Sequence, residues 1–325
     1  MRRFLITTAL CLAIWPAYAT HLNVQERFVY TPCGERVVLM GPNRMVYRMD
    51  RTGLSSFAEI AKTGANSVRL IWTVEGTAEE LDTVLRNARE QRLFPIVEVH
   101  DANGDWSTLT GLVDYWLRPD IVATVARHQA YTIVNIGNNA GDMAALKQYI
   151  DGYTQAIQQL RSAGYKTPLM IDAPGWGKDI DALQTAAPDL LAADPQNNIL
   201  LSVHMWWPKM WGYDAERVRQ EIIQSVEAGL PLIIGEFGNR WDDTDGGEIP
   251  YRAIIKTALE FDIGFMPWSW GPGNKPQQHL DMTDDGTLQG LTGWGREIML
   301  DEPYAIAHNA VTPNWHCMTS QEPAP

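Results

Sequence analysis

Two short apolar segments, far apart in the chain, each end in polar side chains that could act together. Residues 131–136 run into Gly137-Asn138-Asn139, and residues 232–234 run into Gly235-Glu236-Phe237. If both are strands of a parallel barrel, their carboxyl ends open into one mouth, where that fold keeps its reactive groups. A carboxylate on one strand end and a carboxylic acid on another form the pair that retaining glycoside hydrolysis needs: one attacks, the other supplies a proton. Glu236 suits the attacking role. Asn139 stands where the acid is expected, and a neutral amide has no acidic proton to donate.

Such a pair needs a scaffold, and the chain supplies one pattern throughout. Short β-branched or apolar runs at 37–40, 67–71, 95–99, 132–136, 169–172, 200–203, 232–235 and 264–268 read as strands. Helical patterns separate them. In the clearest, Leu146, Ile150, Tyr153, Ile157 and Leu160 recur at alternating four- and three-residue spacing, which makes one apolar stripe. Segments 79–93, 215–228 and 251–261 read the same way. Eight strands alternating with helices predict an α/β fold, a single (β/α)8 TIM barrel. A doubly wound open sheet would need a glycine-rich phosphate turn after an early strand, and the sequence has none. From about residue 301 the tail is irregular and is expected to pack back through Cys317.

The two ends and the charge narrow the function classes. Arg2 and Arg3, the apolar run 4–15 and Ala17-Tyr18-Ala19 have the form of a secretory signal. That run is too short to cross a bilayer. Loss of residues 1–19 removes two Arg and no acid, taking the net charge from −13 to −15. Binding nucleic acid or anionic lipid needs a basic face, so neither is expected, whereas a neutral saccharide fits. The expected product is a secreted monomer, residues 20–325, with no membrane association. Cys11 leaves with the signal, so Cys33 and Cys317 remain. In an exported chain they read as a disulfide, the alternative being two independent buried thiols. The seven His (21, 100, 128, 204, 279, 308 and 316) show no metal-ligand spacing, so no metal or cofactor is expected.

Twelve Trp follow the signal, and nine of them (72, 106, 176, 206, 207, 211, 241, 268 and 270) fall at or just after expected strand ends. A Trp usually packs in a core. Nine at one end of a barrel instead suggest flat faces for pyranose rings in an extended cleft.

The chain resembles glycoside hydrolase family 5, most of all its secreted bacterial endo-β-1,4-mannanases. The residues that carry the resemblance are Asn66-Ser67-Val68-Arg69-Leu70, Val97-Glu98-Val99-His100-Asp101, Val113-Asp114-Tyr115-Trp116 and Ile133-Val134-Asn135-Ile136-Gly137-Asn138. They continue through Ile171-Asp172-Ala173-Pro174-Gly175-Trp176-Gly177, Ser202-Val203-His204-Met205, Ile234-Gly235-Glu236-Phe237-Gly238 and Trp268-Ser269-Trp270. The resemblance implies a retaining hydrolase of β-1,4-linked mannan or glucan with Glu236 as nucleophile. It implies that Asn138 binds the sugar 2-hydroxyl, that Arg69 keeps Glu236 ionised, and that His100 and His204 are active-site imidazoles. Trp176 and Trp206 would join the substrate contacts, and Trp268 or Trp270 would be the platform under the reacting ring.

Three departures from that pattern fall in one cleft. Asn138-Asn139-Ala140 replaces Asn-Glu-Pro, so Asn139 occupies the acid/base position. Trp206 replaces a Tyr whose hydroxyl sits near the nucleophile, and Gly41-Pro42-Asn43-Arg44-Met45 replaces a His-containing loop. Asp142 is the nearest surrogate acid in sequence, although its residue type favours the N-cap of a helix starting at Met143. Asp101, Glu75, Asp242 and Asp243 are weaker candidates. Three readings stay open: an active glycanase, a catalytically impaired relative that binds oligo- or polysaccharide without turnover, and, more distantly, a transglycosylase or a hydrolase of unusual linkage on the same barrel.

Overall fold

The computed structural model describes residues 19–319 except Asn103 and Met143. The signal segment, the expected helix start at Met143 and the side chain of Cys317 lie outside the described residues. The barrel strands are β1 (Asn43–Arg44), β2 (Ser67–Trp72), β3 (Phe94–Val99), β4 (Ile133–Asn135), β5 (Leu169–Asp172), β6 (Ile199–His204), β7 (Leu232–Glu236) and β8 (Gly264–Phe265). Each pairs in parallel with the next. The barrel closes through the segment before β1, where Met40 bridges Phe265 in parallel and Asn43 N–H donates to Pro267 O at 2.9 Å.

Seven of the eight expected strands are found close to where they were read. The first is displaced: residues 36–37 pair with Phe28–Tyr30 in a small antiparallel sheet, and the barrel strand runs on through the supposed loop at 41–45. Pro42 and the polar pair Asn43-Arg44 hide it, because these side chains are buried by partners rather than by apolarity.

Alternation of side chains along each strand divides the barrel interior into two layers. At the bottom Phe94, Ile96, Ile133, Met170, Leu200, Ile233 and Met266 form an apolar plug with Leu22, Val29 and Trp315 from the two termini. Further along the inward faces come Arg69, Glu98, Asn135, Asp172 and His204, with Glu236 three residues past Ile233 across a shift in strand register. The outward residues, among them Val68, Leu70, Val97, Val134, Ile171, Val203 and Ile234, pack under the helices.

The helices match expectation: Ala78–Glu90, Leu146–Ser162, Ala215–Glu227 and Tyr251–Glu260. Ala78–Glu90 opens with a full capping box between Thr77 and Glu80. On Leu146–Ser162 the stripe is rotated: Tyr149 is fully buried while Leu146 and Ile150 are only half-buried. Tyr149 takes the inner place because its hydroxyl donates to Asp172 O at 2.7 Å. Among the described residues no helix is long and apolar enough to cross a membrane.

Candidate active site

Arg69, on β2, has no exposed surface, and a buried cation is costly unless all its protons find acceptors. Here they do. Nη1 donates to Glu236 Oε1 at 2.8 Å and to Asn43 Oδ1 at 3.0 Å; Nη2 donates to Asn138 Oδ1 at 2.8 Å and Asn135 Oδ1 at 2.9 Å. Asp172 Oδ2 and Glu98 Oε1 stand at 3.5 and 3.8 Å. A planar five-donor fork suits this hub, which an ammonium could not replace.

Glu236 ends β7 just after a register shift at Gly235 that brings it opposite His204. A Cβ on Gly235 would lie 2.4 Å from Ser202 Oγ and 2.8 Å from the His204 ring, so the approach needs glycine. Burial alone would raise the Glu236 pKa; His204, Arg69, His100 and the Trp206 N–H outweigh it and hold the carboxyl below its usual range. Trp206 Nε1 donates to Glu236 Oε2 at 2.9 Å. The departure from Tyr therefore exchanges one donor for another, which ring direction decides and sequence alone does not reveal.

His204 is fully buried between two carboxylates, with Nε2 3.4 Å from Asp172 Oδ2 and Nδ1 3.5 Å from Glu236 Oε2. Asp172 accepts from Asn135 Nδ2 and from the backbone N–H of Asn139, both at 3.2 Å. Burial would raise its pKa too; His204, Arg69 and Ser202 reverse this and hold it far below the usual carboxylate range.

Asn139 has a left-handed φ of 54°, a conformation that Asn tolerates better than most residues. The loop after β5 presses against it: a Cβ on Gly177, itself at φ +75°, would lie 2.5 Å from Asn139 Oδ1 and 2.7 Å from the His204 ring. Asn139 Oδ1 and Asn138 Nδ2 are buried without a protein partner.

His100 follows β3. Its Nδ1 lies 2.7 Å from Glu98 Oε1, and its ring stacks at 5.9 Å on Trp268. Burial lowers its pKa, but the Glu98 charge and hydrogen bond raise it more, with a net upward shift. His100 and Trp268 line a cleft of about 510 Å³ together with Tyr47, Glu75, Asp101 and Lys275.

The aromatic expectation is corrected in part. Trp270 is 1% exposed with Nε1 bonded to Gly286 O, so it packs in the core and offers no platform; Trp72 and Trp207 are equally buried. Trp106 packs at a tilt against Tyr149 and edge-on against Tyr153. Open faces remain on Trp176 (40% exposed), Trp211 and Trp241, while Trp268 is half-buried with Nε1 bonded to Asn274. From Trp206 a line of rings runs outward, 6.1 Å to Trp241 and 5.3 Å on to Trp211.

Asp142 is not a helix cap. The helix starts at Leu146 with Ala145 as N-cap and no side-chain cap bond, because the chain first turns back so that Asp142 N–H reaches Gly104 O. Its carboxylate acts on Lys178. Asp101 accepts from Thr73 and from Val74 N–H, Glu75 from the Tyr47 hydroxyl, and Asp242 from Thr244; Asp243 pairs with His279. Among the described residues no three His, Cys, Asp or Glu are placed to hold a metal. Glu98, Asp172 and Asn135, unremarked in the sequence beyond their motifs, prove to be part of the site.

The cellulase family model, glycosyl hydrolase family 5, matches residues 34–274. The chain is 32% identical over 283 residues to a mannan endo-1,4-beta-mannosidase of Salipaludibacillus agaradhaerens, covering 85% of this chain and 90% of that protein. It is 33% identical over 296 residues to a mannan endo-1,4-beta-mannosidase of Streptomyces lividans, covering 87% and 74%. The structure superposes on the mannotriose complex of a Thermomonospora fusca β-mannanase with a TM-score of 0.81, at 30% identity over 90% of this chain and 98% of that one.

Proposed function

The chain belongs to glycosyl hydrolase family 5, as an O-glycosyl hydrolase of the mannanase/glucanase type, and from that premise we propose that it hydrolyses β-1,4-linked mannan with retention, Glu236 being the nucleophile. One observation carries this reading: Glu236 sits ionised and buried at a strand end, its two oxygens held by Arg69 and Trp206. A carboxylate kept charged out of water costs free energy, and attack on an anomeric carbon is a use for it. Mannan is favoured over glucan by the two mannosidases and by the mannotriose bound to the T. fusca enzyme.

In this reading Asn138 Nδ2 donates to the sugar hydroxyl next to the reacting carbon, and Trp268 lies under the ring. Trp176, Trp241 and Trp211 extend the contact surface, and the ligand is a neutral polysaccharide or oligosaccharide. Residues 1–19 direct export, and Cys33 pairs with Cys317 in the oxidising compartment. Asn139 takes the place of the family's proton donor. General acid catalysis is worth about 10²–10⁴-fold, or roughly 3–5 kcal/mol, so hydrolysis of an unactivated glycan needs its proton from another group.

Asn139 also favours a second reading, a saccharide-binding protein without turnover. The two separate in one assay: reducing ends released from mannan, glucomannan and soluble cellulose by the mature chain and by Asn139→Glu. Turnover by the wild type, with little gain in the variant, is the expected result. A silent wild type beside an active variant would make the natural protein a binder, and the polymer attacked would identify its ligand.

A further inference from the structure

We propose that the glycosyl ester formed on Glu236 is resolved by an anionic acceptor as well as by water, so that the protein also transfers glycosyl groups to anions such as a phosphate or a carboxylate. Resting on the nucleophilic role of Glu236 above, this activity belongs to the second half of the reaction. There something must attack C1 from the side that the leaving group has vacated.

Water attacks well only when a base takes its proton. Around Glu236 the carboxylates are committed elsewhere: Glu98 and Asp172 have no exposed surface and face Arg69, His100 and His204. The nearer group is an amide. A Cβ on Gly177 would lie 2.5 Å from Asn139 Oδ1 and 2.7 Å from His204 Nδ1, and that nitrogen is 3.5 Å from Glu236 Oε2. Asn139 and the nucleophile therefore flank one imidazole.

Asn139 is half-buried, with Oδ1 enclosed; its Nδ2 is neither enclosed nor hydrogen-bonded among the described residues. The accessible end of this side chain is thus an N–H donor. It cannot take a proton from water, but it can donate to an anionic oxygen. It also lacks the charge with which a carboxylate in its place would repel an anion.

The charge around the site shifts the same way. Glu98, Asp172 and Glu236 share Arg69 in the free protein. Ester formation neutralises Glu236, so one negative charge is gone when the acceptor arrives. Lys178, next after Gly177, adds a cation. Its ammonium lies 5.2 Å from the Trp211 ring and 5.3 Å from the Trp241 ring, on the aromatic line that starts at Trp206. Asp142 acts on it electrostatically without forming an ion pair.

In the first step a Glu236 oxygen bonds to C1, and the C1–O bond to the leaving group breaks with its electron pair on the departing oxygen. A leaving group that is stable as an anion needs no proton. In the second step an acceptor that already carries its negative charge bonds to C1. The ester bond breaks and restores the Glu236 carboxylate. No proton moves in either step, and two inversions retain the configuration.

The test follows dinitrophenol release from a dinitrophenyl β-mannobioside in azide or phosphate, against chloride at equal ionic strength. Wild-type turnover should rise saturably by about 10²-fold or more, the contribution a general base would otherwise make. The product should be the β-mannobiosyl azide or phosphate by NMR. Asn139→Glu should lose the response through charge repulsion, and Lys178→Met should raise the phosphate concentration at half-maximal rate. Wild-type turnover that neither anion accelerates nor diverts, or an equal response in Asn139→Glu, would overturn the proposal while Glu236 keeps its role. An unchanged half-maximal concentration in Lys178→Met would overturn the part given to the ammonium. If Asn139→Glu does not fold, the rate and product of the wild type decide alone. No dinitrophenol release under any condition would overturn the nucleophilic reading of Glu236 as well.

Discussion

Trp206 and Glu236 meet through one hydrogen bond: the indole N–H donates to Oε2 at 2.9 Å, on the side of the carboxylate away from Arg69. An indole can donate but cannot accept or ionise. A hydroxyl at this place could turn its proton elsewhere or accept one, whereas Trp206 can only stabilise the charged form of Glu236. The same ring begins the aromatic line through Trp241 to Trp211.

Trp206→Phe should keep much of the ring while removing the donor. A hydrogen bond to a charged group is worth about 1.5–3 kcal/mol, and here it favours the ionised state, so its loss raises the Glu236 pKa. Activity that needs the carboxylate would then disappear at a higher pH on acidification than in wild type. Covalent labelling by a dinitrophenyl 2-fluoro-mannoside, followed by mass spectrometry across pH, reads this without any proton donor. An acid limb that stays in place would mean that the indole N–H does not tune Glu236.

Arg69→Met should destabilise the fold by about 3–5 kcal/mol at neutral pH, the usual cost of stripping one partner from buried charges. Asp172 and Glu236 both have lowered folded pKa values. Their contribution is therefore present above the unfolded-state carboxyl pKa and is lost as pH falls through the folded value. Wild type should lose stability on acidification. In the variant the carboxylates have lost their cation and gain by protonation, so its deficit should narrow as pH falls. Urea midpoints at neutral and acidic pH measure the difference, and a deficit independent of pH would contradict the charge argument.

The strands were legible because each is an apolar run that ends at a polar residue. β1 escaped because Asn43 and Arg44 are buried by hydrogen bonds to Gly235, Met266, Trp270 and Gly271 carbonyls, a form of burial that leaves no hydropathy signal. Glu236 and Arg69 stood out by motif. Glu98 and Asp172 lie inside or at the end of apolar runs with the same motifs around them, and only the convergence of β2, β3, β5 and β7 makes them a cluster. Asp142 had the residue type of a cap, but capping depends on where the backbone turns, and the chain turns helical three residues later than its pattern suggested. Counting Trp at strand ends could not separate Trp268 from Trp270, two positions apart, one half-buried on the cleft and the other enclosed.

Glu236→Gln should abolish release of reducing ends from mannan while leaving affinity for mannohexaose within a few-fold of wild type. The amide keeps the shape and one acceptor for Arg69, but it has no negative oxygen to form the glycosyl ester. Titration calorimetry with the oligosaccharide, alongside the reducing-end assay, checks both halves. Residual turnover well above background in the pure variant would remove Glu236 from the nucleophile's role.

Trp268 and Trp270 offer the last contrast. Trp268 is half-buried beside His100 on the cleft, with its N–H satisfied by Asn274; Trp270 is enclosed, with its N–H on Gly286 O. Trp268→Ala removes a sugar platform and should weaken mannohexaose binding by up to about tenfold, since one stacking face is worth about 0.5–1.5 kcal/mol in an aromatic contact. Its melting temperature should fall less than that of Trp270→Ala. Truncating Trp270 opens a cavity in the packing beneath the β8 loop and should cost about 3–5 kcal/mol, with any loss of binding following the loss of fold. Calorimetric affinity and thermal unfolding, measured on both variants, should move in opposite order. The reverse order would place the platform on Trp270 and the packing role on Trp268.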